Sequence, residues 1–220
     1  KRQGLGAVFQ NIAMTGDNQT FQDCSSGLYN CDKIDPYKEI NSQEYELMYN
    51  DEKCCQNGHR DNILDKYHTD VSIGIAYNDY EFVMVQNFEN NYVTFNKPIT
   101  KDNKTIEFSG MLSTGTVANI FIYYDVLPTP LVYEQNKNRT SYDPGTLVAG
   151  VAPYPYEYTD SRIQTISSYT WNTASAGNID IVFDMSSLLD KKGVYTIYLT
   201  LSNPQDNNDQ YDVTSYSIIN

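Results

Sequence analysis

The chain has 220 residues, a formal net charge of −13 and 40% hydrophobic residues, with 20 tyrosines but only 15 lysines and arginines. This length and composition predict a folded chain of one large domain or two small ones, with a real hydrophobic core. The negative charge makes nucleic acid and anionic membranes poor partners, because a polyanion is bound by a positively charged surface. No apolar run approaches the roughly 18 residues of a membrane-spanning helix, so we expect no transmembrane segment.

The first part of the chain is predicted to pass from loop into two helices. Residues 1–32 contain many Gly, Asn and Ser residues and are predicted to be loop. A helix is predicted from Pro36 to about Asp51, with Asp35 as its N-cap and proline at the first helical position. A second, short helix is predicted from Asn57 to about Asp65, with Asn57 as its N-cap.

A β-hairpin follows the second helix. Its predicted strands are Asp70–Tyr77 and Glu81–Phe88, joined by the tight loop 78–80. The first strand alternates large and small side chains, with Val71, Ile73, Ile75 and Tyr77 on one face and Ser72, Gly74 and Ala76 on the other.

After about Asn91 the pattern changes to short strand-like runs separated by turn residues. Such spacing predicts a β-sandwich. The predicted strands are Thr105–Phe108, Val117–Tyr124, Thr146–Val151, Ser168–Trp171, Ile179–Phe183, Val194–Leu201 and Val213–Ile219.

One motif resembles a known family. The segment Gly58–Leu64, with the sequence GHRDNIL, precedes the strand Val71–Tyr77, and this pair resembles the CAP superfamily of secreted, cysteine-rich and pathogenesis-related proteins in its bacterial and archaeal form. The segment Gln10–Ala13 resembles the GENIA-type segment of the same family, with Gln10 where the family usually carries glutamate. The resemblance implies an α+β chain, in which a partial CAP-type α/β/α sandwich over residues 1–94 is followed by an all-β sandwich over residues 95–220.

The resemblance also implies a cleft with candidate metal ligands. CAP clefts often gather two histidines and two acidic residues that hold a divalent cation, here zinc or calcium. His59 matches the histidine of the motif, Gln10 replaces a carboxylate, and the looser candidates are His68, Asp51 and Glu52. The other family histidine lies tens of residues before the GENIA-type segment, so we expect a missing N-terminal segment to complete the domain as a partner. The alternative for His59 is a helix-start residue hydrogen-bonded to the backbone.

Four cysteines lie close together in the sequence: Cys24, Cys31, Cys54 and Cys55. Four cysteines allow three pairings. We expect crossed disulfides from the first two to the last two, because adjacent Cα atoms, about 3.8 Å apart, are closer than the usual disulfide range. The alternatives are a zinc site formed with His59 and free buried thiols.

Three further features suggest candidate surface sites. Sequons at Asn18, Asn103 and Asn138 predict glycosylation in a secreted protein. Asp206, Asp209 and Asp212 have the spacing of oxygen donors for calcium, with a solvated turn as the alternative. The Tyr154–Tyr158 segment presents three aromatic rings that would stack on glycans or cover the sandwich core.

These features predict a protein at the cell exterior or cell surface. The leading interpretation is a binding and assembly module that contacts other surface proteins or glycans, without catalysis. The first alternative is a structural subunit of an extracellular layer or filament, and the second is a metal-dependent hydrolase. Catalysis is disfavoured because the chain has only two histidines, no GxSxG motif, and cysteines that are expected to form disulfides.

Overall fold

The structure is a computed structural model that describes residues 7–16, 18–27, 29–99, 101–102, 104–139, 144–173 and 177–220. Strands hold 46% and helices 19% of the described residues, and these strands form three sheets. The expected α+β class, with a partial CAP-type α/β/α sandwich, is therefore wrong, and the chain is β-rich.

The chain divides into two compact units. The first unit is Val8–Glu89, and the second consists mainly of Asn90–Asn220. None of the helices in the described ranges is long and apolar enough to cross a lipid bilayer.

The first unit contains a three-stranded sheet and four short helices. The sheet has the order β1-β3-β2, and β2 pairs with β3 in antiparallel orientation. The elements are β1 (Ala7–Thr15), α1 (Asn18–Ser25), α2 (Pro36–Tyr49), α3 (Glu52–Cys55), α4 (Gly58–Leu64), β2 (Asp70–Tyr77) and β3 (Phe82–Asn90).

The predicted helices and hairpin of the first unit are confirmed, whereas β1 and α1 lie where a loop was expected. Helix α2 begins as predicted, because the side chain of Asp35 accepts hydrogen bonds from the backbone N–H groups of Tyr37 and Lys38. Strand β1 lacks a clear hydrophobic alternation because its buried positions are the polar Asn11 and the small Ala13.

The core of the first unit lies between one face of the sheet and helices α2 and α4. Ala13, Leu47, Phe82 and Met84 are buried there, and partly buried residues pack against them: Ile34, Ile40 and Ile63. Ile12 and Met14 alternate with the buried residues of β1 and are exposed. The helical side chains of this core therefore contact only one face of the sheet, unlike the two helical layers of an α/β/α sandwich.

The second unit consists of two five-stranded sheets. One contains β10-β11-β6-β4 with β5 paired to β6, and the other has the order β13-β12-β7-β8-β9. Their elements are β4 (Val93–Phe95), β5 (Lys101–Asp102), β6 (Thr105–Leu112), β7 (Thr116–Asp125), α5 (Pro130–Asn136), β8 (Thr146–Ala152), β9 (Gln164–Ser167), β10 (Thr170–Asn172), β11 (Asn178–Asp184), β12 (Val194–Asn203) and β13 (Asp206–Ile219).

Each sheet of the second unit buries alternate residues, as expected of a β-sandwich. Phe108 and Phe183 are fully buried on neighbouring strands of one sheet, with ring centroids 6.1 Å apart. Ile122 and Ile197 are fully buried at paired positions of the other sheet. Six of the seven predicted strand runs lie within observed strands, whereas Ser168–Trp171 overlaps β10 only at Thr170 and Trp171. The helix α5 is an addition to the expectation.

Candidate functional site

Asp51 and His59 form the centre of the candidate site in the first unit. Oδ1 of Asp51 lies 2.6 Å from Nδ1 of His59. Asp51 is only 2% exposed, and the His59 side chain is 22% exposed. The buried carboxylate thus orients an imidazole that reaches solvent, an arrangement that metal-binding and general-base histidines share.

The same carboxylate also caps helix α4. Oδ2 of Asp51 accepts hydrogen bonds from the backbone N–H groups of His59 at 2.7 Å and Arg60 at 3.2 Å. Asn57 was expected to cap this helix, but it adopts a left-handed conformation with φ of 65° and makes no side-chain cap. That expectation is wrong because Asp51, six residues earlier in the sequence, already satisfies the free N–H groups.

The electrostatics of Asp51 follow from these contacts. Burial alone raises the pKa of a carboxyl group, because it disfavours the charged form. The hydrogen bonds from the His59 ring and from the backbone N–H groups of Arg60 and His59 outweigh burial and hold the pKa of Asp51 below its usual value. Asp51 is therefore an ionised acceptor at neutral pH.

A buried hydrogen-bond network joins α4 to the sheet. The side-chain amide of Asn11 donates to the carbonyl oxygen of His59 at 3.0 Å and to Oε1 of Gln86 at 3.1 Å. Oδ1 of Asn11 accepts from Asn62 at 2.9 Å. Gln86 in turn donates to Glu44 of α2 at 2.5 Å. Asn11 is thus the centre of the network, because it contacts both the helix and the neighbouring strand.

His68 belongs to the same network. Its Nε2 lies 3.1 Å from Oδ1 of Asn62. Its ring contacts Phe9 and Phe88, with centroids 5.1 Å and 5.0 Å away. The side chain is only 7% exposed, so His68 is a packed and hydrogen-bonded residue in this structure.

Two of the sequence-predicted ligands, Gln10 and Glu52, have no contact with His59 among the described hydrogen bonds and are not in its group of candidate ligands. Gln10 is exposed and donates to Asn87 at 2.7 Å, on the opposite face of the sheet from Asn11, because successive strand residues alternate. Glu52 is exposed in the first turn of α3. The structure therefore brings together Asp51 and His59 from the predicted set. Asn11 and Asn62 were not singled out, although Asn62 follows His59 by nearly one helical turn within the GHRDNIL motif.

The cysteines form two local disulfides. Cys24 bonds to Cys31, with a Cα–Cα distance of 5.6 Å, and Cys54 bonds to Cys55. The expected crossed pairing is therefore wrong. The end of α1 brings Cys24 close to Cys31, which leaves Cys54 and Cys55 only each other as partners.

Asp51, Cys54, Cys55 and His59 form a group whose candidate ligand atoms all lie within 4.8 Å of one another. The bonded sulfurs of Cys54 and Cys55 are not thiolates, the form that binds zinc. Both oxygens of Asp51 already accept hydrogen bonds. The disulfide form therefore does not fit a metal ion, whereas a dithiol form would supply sulfur and nitrogen donors that suit zinc better than calcium.

A second feature of the first unit is an exposed apolar strip on strand β2. We call it the β2 strip and define it as Val71 (55% exposed), Ile73 (56%), Ile75 (44%) and Tyr77 (59%). Ile75 pairs with Met84 of β3, which is buried. Opposite residues of an antiparallel pair project to the same face. The strip thus extends the buried face of the sheet beyond the part that α2 and α4 cover.

The candidate calcium residues lie on strand β13 of the second unit. Asp206 and Asp209 accept hydrogen bonds from the Asn208 backbone and the Asn203 side chain. Asp212 accepts a hydrogen bond from Thr200 at 2.8 Å, and burial raises its pKa despite that bond. These carboxylates belong to no metal-compatible group within the described residues.

The sequons and the tyrosine segment are the remaining candidate surface sites. Asn138 is exposed after α5, Asn18 is the first residue of α1, and Asn103 lies outside the described residues. In the tyrosine segment, the ring of Tyr158 packs against Phe121 with centroids 5.8 Å apart. Tyr154 is 83% exposed, so the segment covers the sheet at one end and reaches solvent at the other.

No family model matches this chain, and a search of curated proteins finds no match either. The resemblance to the CAP superfamily therefore stays a prediction from the motif alone.

Proposed function

We propose that this chain is an extracellular binding and assembly module that docks another protein surface on the β2 strip. The observation that carries the proposal is the exposure of four large apolar residues in one row on an edge strand. Contiguous apolar patches of this kind commonly mark interaction sites. The proposal includes the case in which the chain is a subunit of a surface layer or filament.

Three features support an extracellular location. The two disulfides require an oxidising compartment to form and persist. The sequon residue Asn138 is exposed, so a glycosyltransferase has access to it. The resemblance of Gly58–Leu64 to secreted CAP proteins supports the same location.

The test replaces the native chain, in its organism of origin, by the variant Ile73→Lys/Ile75→Lys. Two lysine ammonium groups on the strip disfavour an apolar contact because they would lose hydration there. We expect the native extracellular assembly, sized by gel filtration, to shift to the size of the single chain. The matched control is Leu131→Lys/Tyr133→Lys on α5, because both residues are equally exposed in the second unit. The proposal is wrong if strip variant and native chain elute together, or if the native material is already a single chain.

A second candidate function is zinc binding by the reduced form of the group at Asp51. An added phosphine reductant and one water molecule convert the Cys54–Cys55 disulfide to two thiols, in which the water supplies both protons and its oxygen ends on the phosphine oxide. Zn²⁺ then displaces the thiol protons into the solvent. Within the described residues, no hydrogen bond reaches Nε2 of His59, so its second ring nitrogen is available to a ligand or to water.

The measurement is the zinc content of the reduced and oxidised protein after gel filtration. We expect about one zinc per reduced chain and none per oxidised chain. The variant Cys54→Ser/Cys55→Ser should lose the zinc, whereas Cys24→Ser/Cys31→Ser should retain it. Equal zinc content in the two variants would contradict this function.

A further inference from the structure

We infer that the partner of the β2 strip is a second copy of this chain. The two β2 strands pair edge to edge in antiparallel orientation around a two-fold axis at Gly74. The inference rests on the proposed function, because it names the occupant of the same surface.

The segment Val71–Tyr77 of strand β2 forms a regular edge of its sheet as the described residues have it. This strand is the outer strand of the order β1-β3-β2, so one side pairs with β3 and the other side has no strand partner in the described chain. Its register with β3 runs without a bulge from Asp70 opposite Glu89 to Tyr77 opposite Phe82. Proteins usually protect such an edge by a charge, a proline or a bulge. The segment Val71–Tyr77 contains none of these.

The sequence of β2 is nearly symmetric about Gly74. Ile73 and Ile75 flank it, Ser72 and Ala76 follow, and Val71 and Tyr77 are outermost. A two-fold axis at Gly74 places each residue opposite its counterpart, so large residues meet large ones on one face and small residues meet small ones on the other. This self-complementarity is what an isologous interface requires, and cross-strand pairs of this type stabilise a sheet.

Other registers fit less well. A shift by one residue would place Ile73 opposite Gly74, and would join the large-residue face of one strand to the small-residue face of the other. A pairing centred on Ile75 would place Val71 opposite Asp79, a charged residue. Only the register centred on Gly74 pairs all of Val71–Tyr77 with itself.

The proposed interface brings no like charges into contact, because Val71–Tyr77 carries no charged side chain although each chain has a net charge of −13. In the proposed register Asp70 of one copy faces Asn78 of the other, and the two Asp70 carboxylates stay at opposite ends of the interface. The remaining long-range repulsion is screened by salt, so association should strengthen as the ionic strength rises.

The first test is a cysteine cross-link on the two-fold axis. A Cβ atom added at Gly74 meets nothing within 4 Å, so Gly74→Cys fits the fold. The two introduced cysteines, on paired strands, would have Cα atoms about 4.5–5.5 Å apart, within the disulfide range. The matched control is Ser72→Cys, whose two copies would lie about 13 Å apart, four residues along the strand. All native cysteines are already paired.

We expect purified wild-type chain to sediment as a dimer, and Gly74→Cys to form a covalent dimer about tenfold faster than Ser72→Cys. A monomeric wild-type chain would overturn the inference without any variant. So would open-ended polymers, or equal cross-linking of the two variants. These results test only whether the partner is a second copy. The proposed function is tested by the native assembly of the Ile73→Lys/Ile75→Lys variant, so either statement can be wrong while the other holds.

The second test uses opposite charges on facing residues. In the proposed register, Ile73 of one copy faces Ile75 of the other. We expect Ile73→Lys and Ile75→Glu each to be monomeric alone, and an equimolar mixture to form a heterodimer in which Lys faces Glu. Failure of the mixture to associate while the wild type is dimeric would show that the register is different.

Discussion

Asp51 and His59 are joined twice, because one carboxylate oxygen contacts the His59 ring and the other accepts its backbone N–H. The ring orientation and the start of helix α4 therefore depend on a single buried side chain. Any change at Asp51 affects the fold of α4 as well as the electrostatics around His59, and this coupling leads to the first two predictions.

Asp51→Asn should lower the free energy of unfolding by about 1–3 kcal/mol, because it weakens a helix cap and a charge-assisted bond at a buried position. The measurement is urea unfolding followed by circular dichroism. Asp79→Asn is the control, because Asp79 pairs with Lys33 at 2.8 Å at an exposed position, where a loss of at most about 1 kcal/mol is expected. Equal losses in the two variants would contradict the capping role.

The dependence of the unfolding free energy on pH should also reveal the contribution of Asp51. The pKa of Asp51 lies below its ordinary value of 3.8 in the folded chain. Its stabilising effect is therefore complete above pH 3.8 and is lost as the pH falls through the lower folded pKa. We expect the difference in unfolding free energy between wild type and Asp51→Asn to shrink in that acidic range. A difference that stays constant down to the acid transition would be the contrary result.

Asn11→Ala should destabilise the chain much more than Gln10→Ala. Asn11 is 2% exposed, and its loss leaves the His59 carbonyl, Gln86 and Asn62 each short of a partner. One unsatisfied buried polar group costs about 1–3 kcal/mol. Because several groups lose a partner here, we expect the free energy of unfolding to fall by at least about 2 kcal/mol. Gln10 is exposed, and its removal should cost less than about 1 kcal/mol. The measurement is the melting temperature of the two variants, which should be clearly lower for Asn11→Ala than for Gln10→Ala. Similar melting temperatures would contradict the role of Asn11 in the network.

Gly150→Ala should destabilise the second unit, because a Cβ atom at Gly150 overlaps the ring of Tyr158. We expect a loss of about 1–3 kcal/mol as Tyr158 moves away from Phe121. The near-ultraviolet circular dichroism of the tyrosines should change with it. Gly74→Ala, at a position with open space, should stay within about 0.5 kcal/mol of the wild type. An unchanged tyrosine spectrum in Gly150→Ala would speak against the packing of Tyr158.

Much of the secondary structure could be predicted because it depends on local patterns. Asp35 and Pro36 mark the start of α2, and the alternation of Val71–Tyr77 marks β2 with its observed bounds. Strand β1 was missed because its buried face carries Asn11 and Ala13, which do not stand out in a hydrophobicity pattern. The predicted fold class was wrong because a short motif indicates nothing about how many helices cover a sheet.

The candidate site was predicted only in part. His59 and Asp51 were both named, but the hydrogen bonds that join them span eight residues and a chain reversal at Gln56 and Asn57, both with positive φ. The cysteine pairing was wrong because four nearby cysteines allow several connectivities, and the choice depends on which Cα atoms the fold brings close.

The sequence by itself determined the local properties of this protein: the helix start at Pro36, the hairpin strand Asp70–Tyr77, the acidic charge and the symmetric, uncharged segment around Gly74. These properties depend on near neighbours in the chain. The tertiary structure decided that Asp51 caps α4, that Asn11 connects strand and helix, and that β2 lies at an uncovered edge. Contacts between residues far apart in the chain have no counterpart in local pattern, because they arise only when the elements pack.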